Sequence, residues 1–139
     1  MKQLTVAVCI DERRGMLFGG RRQSRDRVLI AELIETAQNQ PICINSFSKT
    51  LFEPYSNKVI YDDLLACCPD RSFCFVEDLA LLPFVEDIQT LILYHWNRHY
   101  PADRHLDLDP IKNGFSLISK TEFTGSSHDK ITKEVYRKA

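Results

Sequence analysis

Leu4 to Ile10 reads Leu-Thr-Val-Ala-Val-Cys-Ile, a nearly unbroken apolar run. A run of that length without a polar face predicts a strand covered on both sides, near the centre of a sheet. Asp11-Glu12-Arg13-Arg14-Gly15 ends it and Gly19-Gly20 follow, so the pattern predicts a long exposed loop over 11–23. Ser24 offers an N-cap, and Ile30, Leu33, Ile34 and Ala37 then recur on one helical face with Glu32 and Glu35 off it. That spacing predicts a helix over 25–38. Pro41 opens Ile42-Cys43-Ile44, a second buried strand, and Lys49 to Phe52 makes a short helical turn that Pro54 ends.

Further along, Lys58 to Tyr61 reads as a weak strand, 62–67 as a short helix with an acidic start, Ser72 to Val76 as an apolar strand, and 79–87 as another short helix. From Thr90 the character changes. Thr90 to Tyr94, Phe115 to Phe123 and Ile131 to Tyr136 are β-rich, with no helical pattern between them. A set of antiparallel strands appended to a mainly parallel sheet fits this order, which places the chain in the α/β class. Neither a repeat nor a boundary interrupts it, and 139 residues at 44% hydrophobic supply one core, so 1–139 is expected to form a single domain.

A formal charge of −1 argues against a surface built wholly as a counter-ion for nucleic acid, although a local basic patch can still bind phosphate. No apolar run approaches the roughly 20 residues that span a bilayer, and the N-terminus lacks the pattern of a secretory signal. The expectation is a cytoplasmic protein that does not engage membranes. Five cysteines, Cys9, Cys43, Cys67, Cys68 and Cys74, are irregularly placed and lack zinc-site spacing, which favours reduced thiols behaving as small hydrophobes.

Several strings, taken in order, resemble dihydrofolate reductase over almost the entire chain. The first strand followed by Asp11-Glu12-Arg13-Arg14-Gly15-Met16-Leu17 is similar to that family's first strand and substrate-covering loop. Pro41-Ile42-Cys43-Ile44-Asn45-Ser46-Phe47-Ser48 resembles its second strand, usually Pro-hydrophobic-hydrophobic-Met-Gly-Arg-x-Thr. Tyr100-Pro101-Ala102-Asp103-Arg104-His105-Leu106 resembles the Glu-Gly-Asp-Thr-x-Phe segment, and Phe115 to Ser119 with Ile131 to Arg137 resemble the final hairpin. The resemblance implies a mainly parallel central sheet with helices on both faces and a C-terminal antiparallel hairpin. It also singles out Asn45, Ser46, Ser48, Asp103 and Arg104 as candidate ligand-binding residues.

The departures bear on function. Where the family carries Gly-Gly against the cofactor pyrophosphate, this chain has Glu77-Asp78, which adds bulk and like charge opposite a phosphate. The Gly-Arg pair after the second strand has become Asn45-Ser46, while Ser48 keeps a hydroxyl where the family uses Thr. No cofactor is therefore expected, with NADPH as the alternative. The family's catalytic acid aligns without a gap at Leu29, and Asp26 lies about one helical turn earlier. Asp26 is the candidate catalytic carboxylate if a small deletion returns it to the pocket; the plainer reading is a solvated acid in a first helical turn.

Arg21, Arg22, Arg25 and Arg27 fall within seven residues, with Arg13 and Arg14 before them. Arginine forks match phosphate bidentately, so Arg21, Arg22 and Arg25 are candidate contacts for a phosphate-containing small molecule or RNA; a solvated loop paired with surface acids competes evenly. His95, His99 and His105 lie near Asp103, Asp107 and Asp109, but the spacing matches no zinc motif, and no metal site is expected. Trp96 reads as a core aromatic before a base-stacking one. Ser126-Ser127-His128-Asp129 reads as a polar turn, because triad residues converge from separate elements. The leading expectation is a dihydrofolate reductase-like protein without ordinary reductase activity, acting as a binding or interaction module, with homo-oligomerisation left open. A divergent NADPH-dependent reductase using Asp26, and an RNA- or nucleotide-binding protein, with or without nuclease activity, are the alternatives.

Overall fold

The computed structural model describes residues 1–61, 64–66 and 68–138. Its strands are β1 (Leu4–Ile10), β2 (Gly15–Phe18), β3 (Arg21–Arg22), β4 (Ile42–Ile44), β5 (Val59–Tyr61), β6 (Phe73–Phe75), β7 (Ile88–His95), β8 (Arg104–His105), β9 (Phe115–Phe123) and β10 (Ile131–Lys138). Seven of them form one sheet in the order β5-β4-β6-β1-β7-β10-β9. β1 sits in the middle, parallel to both β6 and β7, and β4 is parallel to β5 and β6. β10 runs antiparallel to β7 and β9, which makes the C-terminal hairpin. The mixed, mostly parallel α/β sheet expected from the order of the elements is therefore present.

Alternation along β1 divides the core, since successive side chains of a strand point to opposite faces. Leu4, Val6, Val8 and Ile10 pack on one face with Met16, Leu17, Leu81 and Leu108. Ala7 faces the other way, toward Leu29, Ile30, Leu33 and Ala37 of the helix α1 (Arg27–Thr36). Phe52, from a run of 3-10 turns over Ser46–Lys58 that kinks at Tyr55, joins the α1 side, with its ring edge-on to Phe75. A 3-10 segment over Leu82–Asp87 brings Phe84 and Val85 to the opposite side. Each large apolar side chain taken out of water contributes about 1.5–3 kcal/mol, so both faces of the sheet hold the fold together. No described helix is long and apolar enough to cross a membrane.

Two local expectations need correction. The helix begins at Arg27 because Asp26, and not Ser24, is the N-cap, accepting from the backbone N–H groups of Val28 and Leu29. Residues 11–23 are not an open loop. Gly19 and Gly20, at φ of 58° and 73°, close a two-residue turn between β2 and β3, the left-handed geometry that hairpins demand. β8 adds to the other edge of β2, giving a small three-stranded sheet that buries Met16 and Leu17. The short helix expected over 62–67 involves Asp62, Asp63 and Cys67, which lie outside the described residues; 64–66 form a turn.

Asp11 ties this small sheet to the main one. Its buried carboxylate accepts from the backbone N–H groups of Arg13, Gly15 and Tyr100 and from the Gln23 side chain. Gly15 is required there, because a Cβ would lie 2.6 Å from Gln23 Nε2, 2.7 Å from Ala102 Cβ and 2.9 Å from Asp11 Oδ2. A Gly15→Ala variant is expected to lose about 1–3 kcal/mol through overpacking, read as a lower urea midpoint. A midpoint equal to that of the parent would show that the knot yields freely.

Candidate functional site

The residues that most distinguish this chain gather at the C-terminal ends of β1, β4 and β6. Glu77 follows β6, and its side chain is only 9% exposed. Arg22 grips it with a two-pronged pair, Nε to Oε1 at 2.8 Å and Nη2 to Oε2 at 3.0 Å. The same guanidinium donates to the Phe47 carbonyl and lies over the Phe47 ring. Buried Ser48 donates to Glu77 Oε2 at 2.7 Å, and Asn45 donates to Asp78 at 2.8 Å. Arg104 donates to the Asp78 carbonyl. Glu77-Asp78 thus forms the hub of a network that occupies Arg22, Asn45, Ser48 and Arg104 internally. The space left beside it, among Cys9, Met16, Gln23 and Trp96, has a volume of about 10 Å³, less than a small ligand needs.

A second network surrounds Asp26. Its carboxylate is fully buried, and Oδ1 accepts from Val28 N, Leu29 N, Ser126 N and Ser126 Oγ at 2.9–3.2 Å. Oδ2 accepts from Ser127 N at 2.8 Å and from His128 Nδ1 at 2.9 Å. Burial by itself would raise the pKa of this carboxyl, but the bonds from His128, Ser127, Ser126 and Leu29 outweigh it and hold the group well below the usual range. An ionised Asp26 can only accept, so His128 Nδ1 carries a proton and donates to it. Facing Nε2 are Ser24 Oγ at 3.0 Å and the Tyr100 hydroxyl at 3.1 Å. The imidazole stacks on buried Trp96, with ring centroids 4.5 Å apart.

Ser126 to Asp129 belong to the connection between β9 and β10, where Gly125 N bonds the His128 carbonyl, so the string is a turn as its composition suggested. Its histidine nevertheless stands in a Ser–His–Asp line whose other members are Ser24 and Asp26, roughly a hundred residues away in the chain. Arg21 and Arg25 are exposed and line, with Gly20, Ser24 and Phe47, an open groove of about 440 Å³. Arg25 and Arg27 border a larger one of about 670 Å³ beside Ile30, Leu51 and Tyr55. Asp103 serves the β2–β3 hairpin by accepting from Gly19 N, while Ser46 is exposed at the start of the 3-10 run.

The histidine-rich stretch disperses. His95 bonds Glu134, Asp107 accepts from Leu81 N and Leu82 N, and Asp109 accepts from Lys112 N beside Arg14. A different set converges instead: the Sγ atoms of buried Cys43, Cys68 and Cys74 lie within 4.8 Å of one another. Burial pushes the Cys68 thiol up, and the Cys43 hydrogen bond together with burial pushes the Cys74 thiol up. Chelator and reductant are expected to leave the thermal midpoint unchanged; a fall of more than about 5 °C, over 1 kcal/mol for a chain of this size, would assign the cluster a bound ion or a disulfide.

The class defined by this architecture is the dihydrofolate reductase-like α/β fold. A dihydrofolate reductase from Enterococcus faecalis, solved in complex with NADP(H) and RAB-propyl, is similar to this chain with a TM-score of 0.67, over 97% of this chain and 95% of that one, at 7% identity. The likeness at that identity is one of fold. No model of a known family matches the chain, and no curated protein does.

Proposed function

We propose that this chain is a binding protein on a dihydrofolate reductase-like fold, without NADPH-dependent reduction, and that its ligand is a small phosphate- or carboxylate-bearing molecule held by Arg21 and Arg25. The observation that carries this reading is the Arg22–Glu77–Ser48 network, which fills the space beside Glu77, where the resemblance would put the cofactor pyrophosphate, down to about 10 Å³. Glu77 and Asp78 would also face the pyrophosphate with like charge and bulk. Asp26, the acid a reductase reading needs, has both oxygens engaged by six donors and is turned toward the β9–β10 connection. The open groove offers what the closed pocket does not: two exposed guanidinium groups beside the Phe47 ring. RNA is the other phosphate source the arginines could take, and the formal charge of −1 favours the small molecule.

Isothermal titration calorimetry tests both halves. NADPH is expected to give no binding below about 100 μM, with or without a folate analogue, whereas a micromolar affinity would restore the reductase reading. Inorganic phosphate or a nucleoside monophosphate is expected to bind with an affinity that weakens as salt rises, and an Arg21→Ala, Arg25→Ala double variant should lose at least tenfold. Undiminished binding in the variant would move the site elsewhere.

A further inference from the structure

We infer that Ser24 is a nucleophile activated by His128 and Asp26, and that the chain hydrolyses an ester whose acyl or alcohol part carries an anionic group. The recognition half of this inference rests on the arginine groove proposed above; the chemical half does not. Nucleophilic catalysis by serine needs a base within hydrogen-bond reach of the hydroxyl and a third group that fixes the base's tautomer. Here Ser24 Oγ lies 3.0 Å from His128 Nε2, and His128 Nδ1 lies 2.9 Å from Asp26 Oδ2. The three come from the end of the β3–α1 connection, the N-cap of α1 and the turn between β9 and β10. They converge from separate places, as a relay requires.

Burial is graded along the line. The Asp26 side chain is 0% and the His128 side chain 2% exposed, while Ser24 is half-buried and forms part of the wall of the 440 Å³ groove. The orienting acid is dry and the nucleophile can reach a ligand. Stacking on Trp96 holds the imidazole plane, so the ring cannot turn away from Ser24 without breaking the core. The Tyr100 hydroxyl, 3.1 Å from the same Nε2, shares one lone pair with Ser24. Once Nε2 has taken the Ser24 proton, the Tyr100 O–H is released to donate to the oxyanion forming beside it.

The steps balance with water as the second reactant. Ser24 Oγ bonds the ester carbonyl carbon as its proton passes to His128 Nε2. The carbon–oxygen bond to the alcohol then breaks, and the alcohol leaves with the Nε2 proton. Water next attacks the acyl-serine and gives a proton to Nε2; the bond to Oγ breaks, and the proton returns to Ser24. No oxidant or reductant enters. Arg21 and Arg25 hold the anionic group in the groove, with Phe47 against the carbon chain.

The test uses the full chain and two probes. A fluorophosphonate is expected to form one adduct, mapped by peptide mass spectrometry to Ser24, absent in Ser24→Ala and formed at least 100-fold more slowly in His128→Gln. Ser24→Ala removes only a half-buried hydroxyl and leaves the Asp26–His128 contact in place, so it reads the nucleophile even if His128→Gln fails to fold. Mono-4-nitrophenyl succinate should be hydrolysed with a kcat/KM at least tenfold above 4-nitrophenyl acetate, and the preference should vanish in the Arg21→Ala, Arg25→Ala variant. No adduct on the folded parent chain, or an adduct that survives Ser24→Ala, overturns the nucleophile even where phosphate still binds the groove. Labelling at Ser24 with no preference for the succinate ester upholds the nucleophile and removes the anionic substrate.

Discussion

An Asp26→Ala variant is expected to unfold roughly 10–20 °C below the parent chain, a loss of about 3–5 kcal/mol for 139 residues. The size follows from what the substitution leaves behind. Six donors point at the carboxylate, four on Oδ1 and two on Oδ2, and the carboxylate that holds them is itself fully buried. Removing one member of a buried charge-assisted network costs more than the net value of its bonds, because the remaining groups keep their desolvation penalty. The α1 N-cap goes with it, and so does the bond that keeps His128 against Trp96. Asn at this position restores the shape but turns an amide toward the His128 Nδ1 or Ser127 donors, so Asp26→Asn should recover only part of the loss. Asp129, exposed two residues beyond Ser127, is the control, and Asp129→Ala should stay within about 0.5 kcal/mol. Circular dichroism melts of the three variants decide it. A midpoint for Asp26→Ala within 3 °C of the parent would mean that the turn at 125–128 relaxes and lets water in.

The same residue marks where reading the chain in order stops working. β1 is legible because burial on both faces leaves an uninterrupted apolar string from Leu4 to Ile10, and β9 because Phe115 to Phe123 is β-rich between turn residues. The last strands were legible as antiparallel because no helical period separates them. Gly19-Gly20 is a hairpin signal, but the strands it joins are four and two residues long and the second is Arg21-Arg22 itself, so charge masks the pairing. Asp26 reads in the string as a solvated acid or a displaced catalytic one, and the structure removes the first reading by burying the carboxylate under a turn a hundred positions away. Nothing local encodes that distance. Ser24, Tyr100 and His128 were each legible as polar residues, but their convergence depends on β7 and β10 pairing side by side. Glu77-Asp78 shows the opposite case, since two acids in place of two glycines are visible in the string and the structure supplies their partners, Arg22, Ser48 and Asn45.

Stability of the parent chain is expected to hold from neutral pH down to about pH 4 and to fall steeply below it. Asp11 and Asp26 set this limb. For each, burial pushes the carboxyl up and is outweighed by hydrogen bonds, from Gly15, Arg13, Tyr100 and Gln23 at Asp11 and from His128, Ser127, Ser126 and Leu29 at Asp26. Their folded pKa values therefore lie below the unfolded value of about 3.9. A depressed folded pKa means that the unfolded chain takes up the proton first as acid is added. The contribution is complete above the unfolded pKa, and it drains away as pH falls toward and through the folded one. Each full unit of depression corresponds to about 1.4 kcal/mol at neutral pH. Urea midpoints of the parent, Asp11→Asn and Asp26→Asn between pH 7 and pH 2.5 measure the effect. Both variants should start lower at pH 7, and the gap to the parent should narrow as pH falls, more for Asp26 than for Asp11. A gap that stays constant across that range would show that the two carboxylates hold the fold by shape and not by charge.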